Sequence, residues 1–168
     1  MPVLDIRNNI VMVTNTVGVG SNYGIGYALT SNTGNFQNLT SNNNTFWVAS
    51  ASGSQNAIGV VNGLTTTTNI PLNTLAYWQS TTGKDAISQN ILPVTISNSN
   101  MHIVLGNATN LLLNGTGASL AEVTDDIDCE ARTGPNSPDI GADEFNAPNI
   151  DVAFDAIVRP GGVTTCHS

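Results

Sequence analysis

Short apolar runs preceded by asparagine-rich turns recur along the first two thirds of the chain. The stretch IRNNIVMV at 6–13 places two asparagines before a β-branched run, and SNNNTFWVA at 41–49 and SNSNMHIVL at 97–105 repeat the arrangement. Two further apolar strands are predicted at GIGYAL (24–29) and NAIGVV (56–61). β-Branched and aromatic runs bounded by Asn, Gly and Ser are typical of strands. The pattern predicts an all-β chain built from an irregular repeat of turn and strand.

Strands this short, with few hairpin dipeptides between them, favour parallel stacking over an antiparallel meander. Stacking would let an asparagine at a bend hydrogen-bond to the equivalent asparagine of the next turn of chain, which satisfies otherwise stranded amides. The predicted architecture is a parallel β-helix, or solenoid, over 1–145. An antiparallel β-sandwich would use the same residue types and remains the alternative.

The segment 72–90, LNTLAYWQSTTGKDAISQN, departs from the strand pattern. Its apolar spacing predicts a short helical insert over 72–85, which Gly83 can end. Tyr77 and Trp78 offer two interpretations. They anchor the insert to the body of the protein, or their faces form a stacking platform for carbohydrate.

The residues after the acidic region predict one more strand. NIDVAFDAIV at 149–158 alternates strictly, which indicates a half-buried strand. A single strand cannot bury its own apolar face, so the tail 146–168 is expected to pack on the body, to dock on another chain, or to begin a missing domain. The residues of this predicted assembly strand are Ile150, Val152, Phe154 and Val158.

Charge is scarce and unevenly placed. Charged residues make up 10% of the chain, the net charge is −8, and ten of the twelve acidic residues lie between Glu122 and Asp155. No basic patch is present to bind nucleic acid, and no apolar run is long enough to cross a bilayer. Cys129 and Cys166 are the two cysteines, and their spacing leaves a disulfide and free thiols equally open.

The carboxylates near the C-terminus are the main candidates for a site. The i, i+2 spacing of Asp126 and Asp128, with Asp139 and Asp143 further along, could supply an all-oxygen ligand set, which suits Ca²⁺. The alternative is a structural cap in which Arg132 bridges carboxylates, with no cofactor required. The two interpretations are compatible, because a bound cation would relieve repulsion within such a cap.

Residues for catalysis are sparse. His102 lies between apolar neighbours and is interpreted as a packed strand residue, and no second histidine, serine elbow or metal-binding helix motif accompanies it. A glycosidase would need two carboxylates that face each other across a groove, whereas the acids here cluster at one end of the chain. The sequence leaves an enzyme open but favours a non-catalytic protein.

The segment 124–145, TDDIDCEARTGPNSPDIGADEF, resembles the C-terminal signature of right-handed parallel β-helix proteins secreted by Bacteroidetes and related bacteria. That signature reads D-x-D-G-x-x-R, a short spacer, then P-D-I-G-A-D-E-[FY]. The segment LAYWQSTTGKDAIS at 75–88 is similar to the family's W-Q-x-x-T-G-x-D-A-x-S. The chain departs from the pattern at Cys129, where the family has a glycine suited to positive φ, and at TNLLLNGTG (109–117). The residues that match the signature are Asp126, Asp128, Glu130, Arg132, Pro138, Asp139, Ile140, Gly141, Ala142, Asp143, Glu144 and Phe145.

The resemblance implies a right-handed β-helix ending in a cap at 124–145, within a longer secreted or cell-surface protein of which this chain is one end. The structural residues of that cap would be Arg132, Pro138, Gly141, Glu144 and Phe145. We therefore expect a non-enzymatic structural or adhesive module. It would associate with copies of itself into a homopolymer or filament, through its C-terminal strand or its coil ends, or with another extracellular domain. The alternative is a module that binds or cleaves carbohydrate, with glycans as partners.

Overall fold

The computed structural model describes residues 3–15, 17, 20–27, 36–50, 56–61, 70–132 and 137–147. These residues form short strands, one α-helix and one 3₁₀ turn. In chain order they are β1 (Leu4–Arg7), β2 (Ile10–Asn15), β3 (Asn22–Tyr27), β4 (Leu39–Asn42), β5 (Thr45–Ser50), β6 (Asn56–Val61), β7 (Ile70–Leu72), α1 (Leu75–Thr82), β8 (Thr95–Ser97), β9 (Asn100–Ile103) and the 3₁₀ turn Asn110–Leu112.

The first six strands pair in parallel, each strand of the first turn of chain with its counterpart in the second. β1 pairs with β4, β2 with β5, and β3 with β6. The register places Ile10 opposite Thr45 and Asn22 opposite Asn56, so the chain follows nearly the same path twice. The asparagine-rich turns before the strands therefore stack on each other, because equivalent residues fall at equivalent corners.

The predicted right-handed parallel β-helix is wrong. The sheets in the described part of the chain are small and separate, with two or three strands each, and none is closed or continues as a solenoid. β7 runs antiparallel to β6, and β8 and β9 form an antiparallel pair. Among the described residues the repetition ends at β6, because the next elements are β7, which contains Pro71, and α1. The elements in the described part of the chain are mostly β-strands, with one α-helix.

Helix α1 lies within the predicted insert and is shorter than the predicted 72–85. It begins after Thr74, whose side chain accepts a hydrogen bond from the Tyr77 N–H at 3.1 Å. It ends at Gly83, which has φ of 68° and donates its N–H to the Gln79 carbonyl. The left-handed conformation costs a glycine little, so Gly83 ends the helix as the sequence predicts.

Trp78 joins the helix to the sheet. Its side chain is fully buried and lies over Gly59 of β6, where an added Cβ would come within 2.3 Å of the indole ring. Only glycine permits this approach without displacement of the ring. The larger hydrophobic cluster forms around this contact, and its buried residues are Phe36, Leu39, Phe46, Ile58, Val61, Leu72 and Trp78.

A second hydrophobic cluster lies beneath the acidic segment, the name used below for residues 124–145. It contains Ile103 from β9, Leu113, and two residues of the segment itself, Ile140 and Phe145. Ile10 of β2 packs against it. The acidic segment is therefore attached to the rest of the protein by a buried apolar contact.

Candidate functional site

Asparagines at the stacked turns attach the chain that leads into the acidic segment. Asn8 and Asn43 both adopt positive φ, 59° and 53°. The Asn8 side chain accepts from the Ala118 N–H and donates to the Ala118 carbonyl, both at 2.7 Å, and the Asn43 amide donates to the Thr116 carbonyl at 2.9 Å. Residues 116–118 are thereby held along the turn corners, which positions the acidic segment beside β1 and β2.

Asp126 organises the first half of the acidic segment. Its Oδ1 atom accepts the main-chain N–H groups of Asp128 and Glu130, both at 2.8 Å, and its Oδ2 atom accepts the Glu144 N–H at 2.9 Å. Burial raises the pKa of Asp126, but these three N–H groups, with the nearby Arg132, outweigh it and hold the pKa below the ordinary value. The carboxylate is thus occupied by the main chain of its own loop.

Cys129 stands in this loop with φ of 66°. Its N–H donates to the Asp126 carbonyl at 3.3 Å, and the Asp126 N–H donates to the Glu130 carbonyl at 2.9 Å. The loop keeps the left-handed position that a glycine would suit, although a side chain is present and exposed. A possible bond to Cys166 lies outside the described residues.

Arg132 is the cation of the acidic segment. It is 8% exposed, and its guanidinium donates to the carbonyls of Gly141 at 2.8 Å and Asp139 at 2.7 Å. Among the described residues it forms an ion pair with Glu144, at 2.9 Å. Arg132 therefore bridges one carboxylate and two main-chain carbonyls, where the sequence predicted a bridge between carboxylates.

Asp139 and Glu144 complete the same network. Asp139 accepts the Gly115 N–H at 2.6 Å and the Phe145 N–H at 2.8 Å, and Glu144 accepts the Asp139 N–H at 3.0 Å. Burial raises the pKa of both carboxyl groups, and the hydrogen bonds from the main chain oppose this without cancelling it. Both carboxylates thus fix the path of the backbone.

Pro138 and Gly141 act through their backbones. The Pro138 carbonyl accepts the Gly117 N–H at 2.7 Å. Gly141 has φ of 121° and donates its N–H to the Asn8 carbonyl at 3.0 Å. A Cβ at Gly141 would lie 2.8 Å from Ile10 Cδ1, so the glycine allows the segment to lie directly against β2.

Asp128 and Asp143 have contacts that differ from those of the three carboxylates discussed above. Asp143 is 8% exposed, and its Oδ2 atom accepts the Ile103 N–H at 2.8 Å. Asp128 Oδ2 lies 2.7 Å from His102 Nε2. Among the described residues, one group of three or more His, Cys, Asp or Glu side chains has ligand atoms within 4.8 Å of one another, and its members are His102, Asp128 and Asp143.

The structure therefore divides the predicted Ca²⁺ set. Asp128 and Asp143 come together, and Asp126 and Asp139 are not members of the group. His102, which the sequence analysis interpreted as a packed residue, joins it. No local sequence pattern identified this role, because Asp128 is 26 residues away in sequence. The one indication was the alternation in NMHIVL, which sets His102 on the opposite face of the strand from Ile103.

Asp85 is a further buried carboxylate, and the sequence patterns did not reveal it. Asp85 is 1% exposed and has φ of 59°. Its oxygens accept four hydrogen bonds, from Trp78 Nε1 and Ser41 Oγ at 2.7 Å, from Asn44 Nδ2 at 2.9 Å and from Ser88 Oγ at 2.6 Å. The signal available in the sequence was that few charged residues precede residue 122, so that each of them stands out. Full burial behind neutral donors makes Asp85 a structural centre.

The two candidate sugar-stacking residues separate in the structure. Tyr77 is 48% exposed, whereas Trp78 is fully buried and bonded to Asp85. Trp78 has no face open to a sugar, so the predicted pair of stacking rings does not form. The position of Trp78 matches the anchoring interpretation.

The predicted assembly strand, with Ile150, Val152, Phe154 and Val158, lies outside the described residues. Within the described part of the chain, no helix is long and apolar enough to cross a membrane. Comparison of the sequence with protein-family models and with curated proteins, and comparison with solved structures, gives no match. The resemblance to secreted bacterial proteins therefore stays a prediction.

Proposed function

We propose that this chain is a non-enzymatic structural or adhesive module of a secreted or cell-surface protein, and that it associates with copies of itself or with another extracellular domain. One observation carries the proposal. Three side chains of the acidic segment, Asp126, Asp139 and Glu144, accept main-chain N–H groups and hold three stretches of backbone together.

Polar side chains perform the same task elsewhere in the chain. Asn44 Oδ1 accepts the main-chain N–H of Asn9 at 2.9 Å and its side-chain amide at 3.2 Å, 35 residues away. Asn22 and Asn56 make the equivalent contact on the next strand. These polar side chains join one turn of the chain to the next by hydrogen bonds, and this use supports a scaffold. Buried amides are costly unless they are hydrogen-bonded.

Strand edges support the proposed self-association. In the described residues β1, β2 and β3 each pair with a strand on one side. Val3, which precedes β1, is 79% exposed, and Leu4, the first residue of β1, is 44% exposed. An open strand edge with exposed apolar side chains is a template for strand addition by a second chain.

The test is the mass of the full chain in solution, measured by multi-angle light scattering over a range of concentrations and followed by negative-stain imaging. Wild type is expected to form oligomers. The double variant Val3→Lys/Leu4→Lys should dissociate them, because lysines on an edge strand oppose pairing. The control Ile87→Lys changes an apolar residue outside the strands whose exposure, 61%, lies between those of Val3 and Leu4, and it should leave the oligomers intact.

A wild-type monomer at every concentration would overturn self-association. Dissociation by the control as well would show that added charge, and not the β1 edge, is responsible. The non-enzymatic half of the proposal is tested separately, by incubation with a panel of acidic and neutral polysaccharides. Release of reducing or unsaturated ends by wild type would overturn it.

A further inference from the structure

We propose that His102, Asp128 and Asp143 bind one divalent transition-metal ion, with Zn²⁺ the best match. The site goes beyond the structural role proposed above and does not depend on it. It lies where β9, the loop organised by Asp126 and the end of the acidic segment meet.

The ligand atoms are close enough to share an ion. They lie within 4.8 Å of one another, and the Nε2 atom of His102 is 2.7 Å from Asp128 Oδ2. Tetrahedral zinc with bonds of about 2.0–2.2 Å separates its ligands by roughly 3.3 Å. The contact between His102 and Asp128 must therefore widen slightly, and any ligand atoms that lie as far as 4.8 Å apart must move closer together. The side chain of Asp128 is 54% exposed and can make that adjustment.

The hydrogen bonding of His102 leaves the correct nitrogen for a metal. Nδ1 faces Asn100 Oδ1, and the same oxygen accepts the His102 main-chain N–H at 3.1 Å, which fixes the orientation of the amide. Nδ1 therefore carries a proton. In the neutral ring the lone pair of Nε2 then points at a carboxylate, an arrangement that a cation between them would stabilise. An outer hydrogen bond on the second ring nitrogen is the usual arrangement around a histidine ligand.

Asp143 supplies an independent indication. Its carboxylate is 8% exposed, and among the described residues it has one hydrogen-bond donor, the Ile103 N–H, and no ion pair. Arg132, the nearby cation, pairs with Glu144 instead. A buried carboxylate without a countercharge is unfavourable, and a bound cation would neutralise it.

The ligand types favour a transition metal over calcium. Imidazole and carboxylate together suit Zn²⁺ and its neighbours, whereas Ca²⁺ takes six to eight oxygen ligands. Three protein ligands leave a fourth position for water. His102 and Asp143 also line a groove of about 550 Å³ that Glu130 and Glu144 border, so solvent can reach the site.

The direct test is calorimetric titration of the full chain, first treated with EDTA and then exchanged into metal-free buffer, with Zn²⁺ and separately with Ca²⁺. One Zn²⁺ per chain is expected, with weaker binding of Ca²⁺. His102→Gln should weaken Zn²⁺ binding by at least about 100-fold, and Asn100→Ala by about 10–100-fold, since it removes only the outer hydrogen bond. His167→Gln, which removes the other of the chain's two histidines, is the matched control and should bind as wild type.

Three outcomes would overturn the proposal: no stoichiometric binding of Zn²⁺ to wild type, unchanged binding in His102→Gln, or loss of binding in His167→Gln. If wild type does not bind Zn²⁺, the contact between His102 and Asp128 is a direct hydrogen bond and not part of a metal site. Circular dichroism of each variant in EDTA checks its folding. Should His102→Gln fail to fold, Asp128→Asn at an exposed position replaces it, with the same expected loss and the same contradiction if binding is retained.

Discussion

The guanidinium of Arg132 lies 2.9 Å from the carboxylate of Glu144 in a position that is 8% exposed. The same guanidinium donates to two main-chain carbonyls, so loss of Arg132 would leave both acceptors without this donor and a partly buried carboxylate without its countercharge. Such a centre is more costly to break than a surface ion pair.

Arg132→Met should lower the free energy of unfolding by about 3–5 kcal/mol, because removal of one partner of a buried pair leaves the other unsatisfied. Urea unfolding measures the change. Arg7→Met is the matched control, since Arg7 pairs with Asp5 at the surface and its loss should leave the midpoint close to that of wild type. Equal effects of the two substitutions would contradict a structural role for Arg132.

Asp85→Ala should cost at least about 3 kcal/mol, because four donors lose their acceptor and each buried unsatisfied group costs about 1–3 kcal/mol. Trp78 fluorescence should change with it, since the indole N–H bonds to Asp85. Lys84→Ala is the control, because it removes the neighbouring charge and Lys84 forms no ion pair within the described residues. A small effect at Asp85, no larger than at Lys84, would show that the four-donor centre does not stabilise the fold.

Asp126 and Asp139 should influence stability with opposite dependence on pH. The pKa of Asp126 is lowered in the fold, so its contribution is present above the ordinary value of 3.8 and is lost as the pH falls through the folded pKa. The pKa of Asp139 is raised by burial, so its titration favours the fold at low pH and this stability is lost as the pH rises from 3.8 through the folded pKa.

Asp126→Asn is therefore expected to cost more at neutral pH than in acid, and Asp139→Asn more in acid than at neutral pH. Urea unfolding of both variants and wild type between about pH 2.5 and 7, with EDTA present, measures the two differences. Slopes of the same sign would contradict the assigned environments.

Cys129→Gly should stabilise the protein by about 0.5–1 kcal/mol, because Cys129 holds φ of 66° and a side chain raises the energy of that conformation. Cys129→Val should destabilise it, since a β-branched residue tolerates positive φ poorly. Thermal unfolding under reducing conditions compares them. A loss of stability in Cys129→Gly would show that the thiol makes a contact that outweighs the backbone strain.

Local patterns predicted local structure well. The apolar runs after paired asparagines form strands, Gly83 ends α1, and Asn9 meets Asn44 as the turns stack. Each of these depends on residues adjacent in sequence or on a pattern that repeats. The number of repeats is not encoded in any one strand, and the β-helix prediction failed because the pairing pattern ends after β6.

The sites depend on contacts that sequence spacing does not reveal. Asp85 receives donors from Ser41 and Asn44, more than forty residues earlier, and His102 contacts Asp128, which lies 26 residues later. The acidic run was recognised as structurally important from its composition. The fold of the whole segment decides which of its carboxylates accept main-chain N–H groups and which lie near His102.

Native-state hydrogen exchange of the full chain, read amide by amide, tests the central claim that the acidic segment is an integral structural element. The amides of Ile103, Gly115 and Phe145, which donate to the carboxylates of Asp143 and Asp139, should open with the same free energy as those of β5 and β6. Exchange of these three amides near the unprotected rate, while β5 and β6 stay protected, would show that the acidic segment is peripheral and contradict the account.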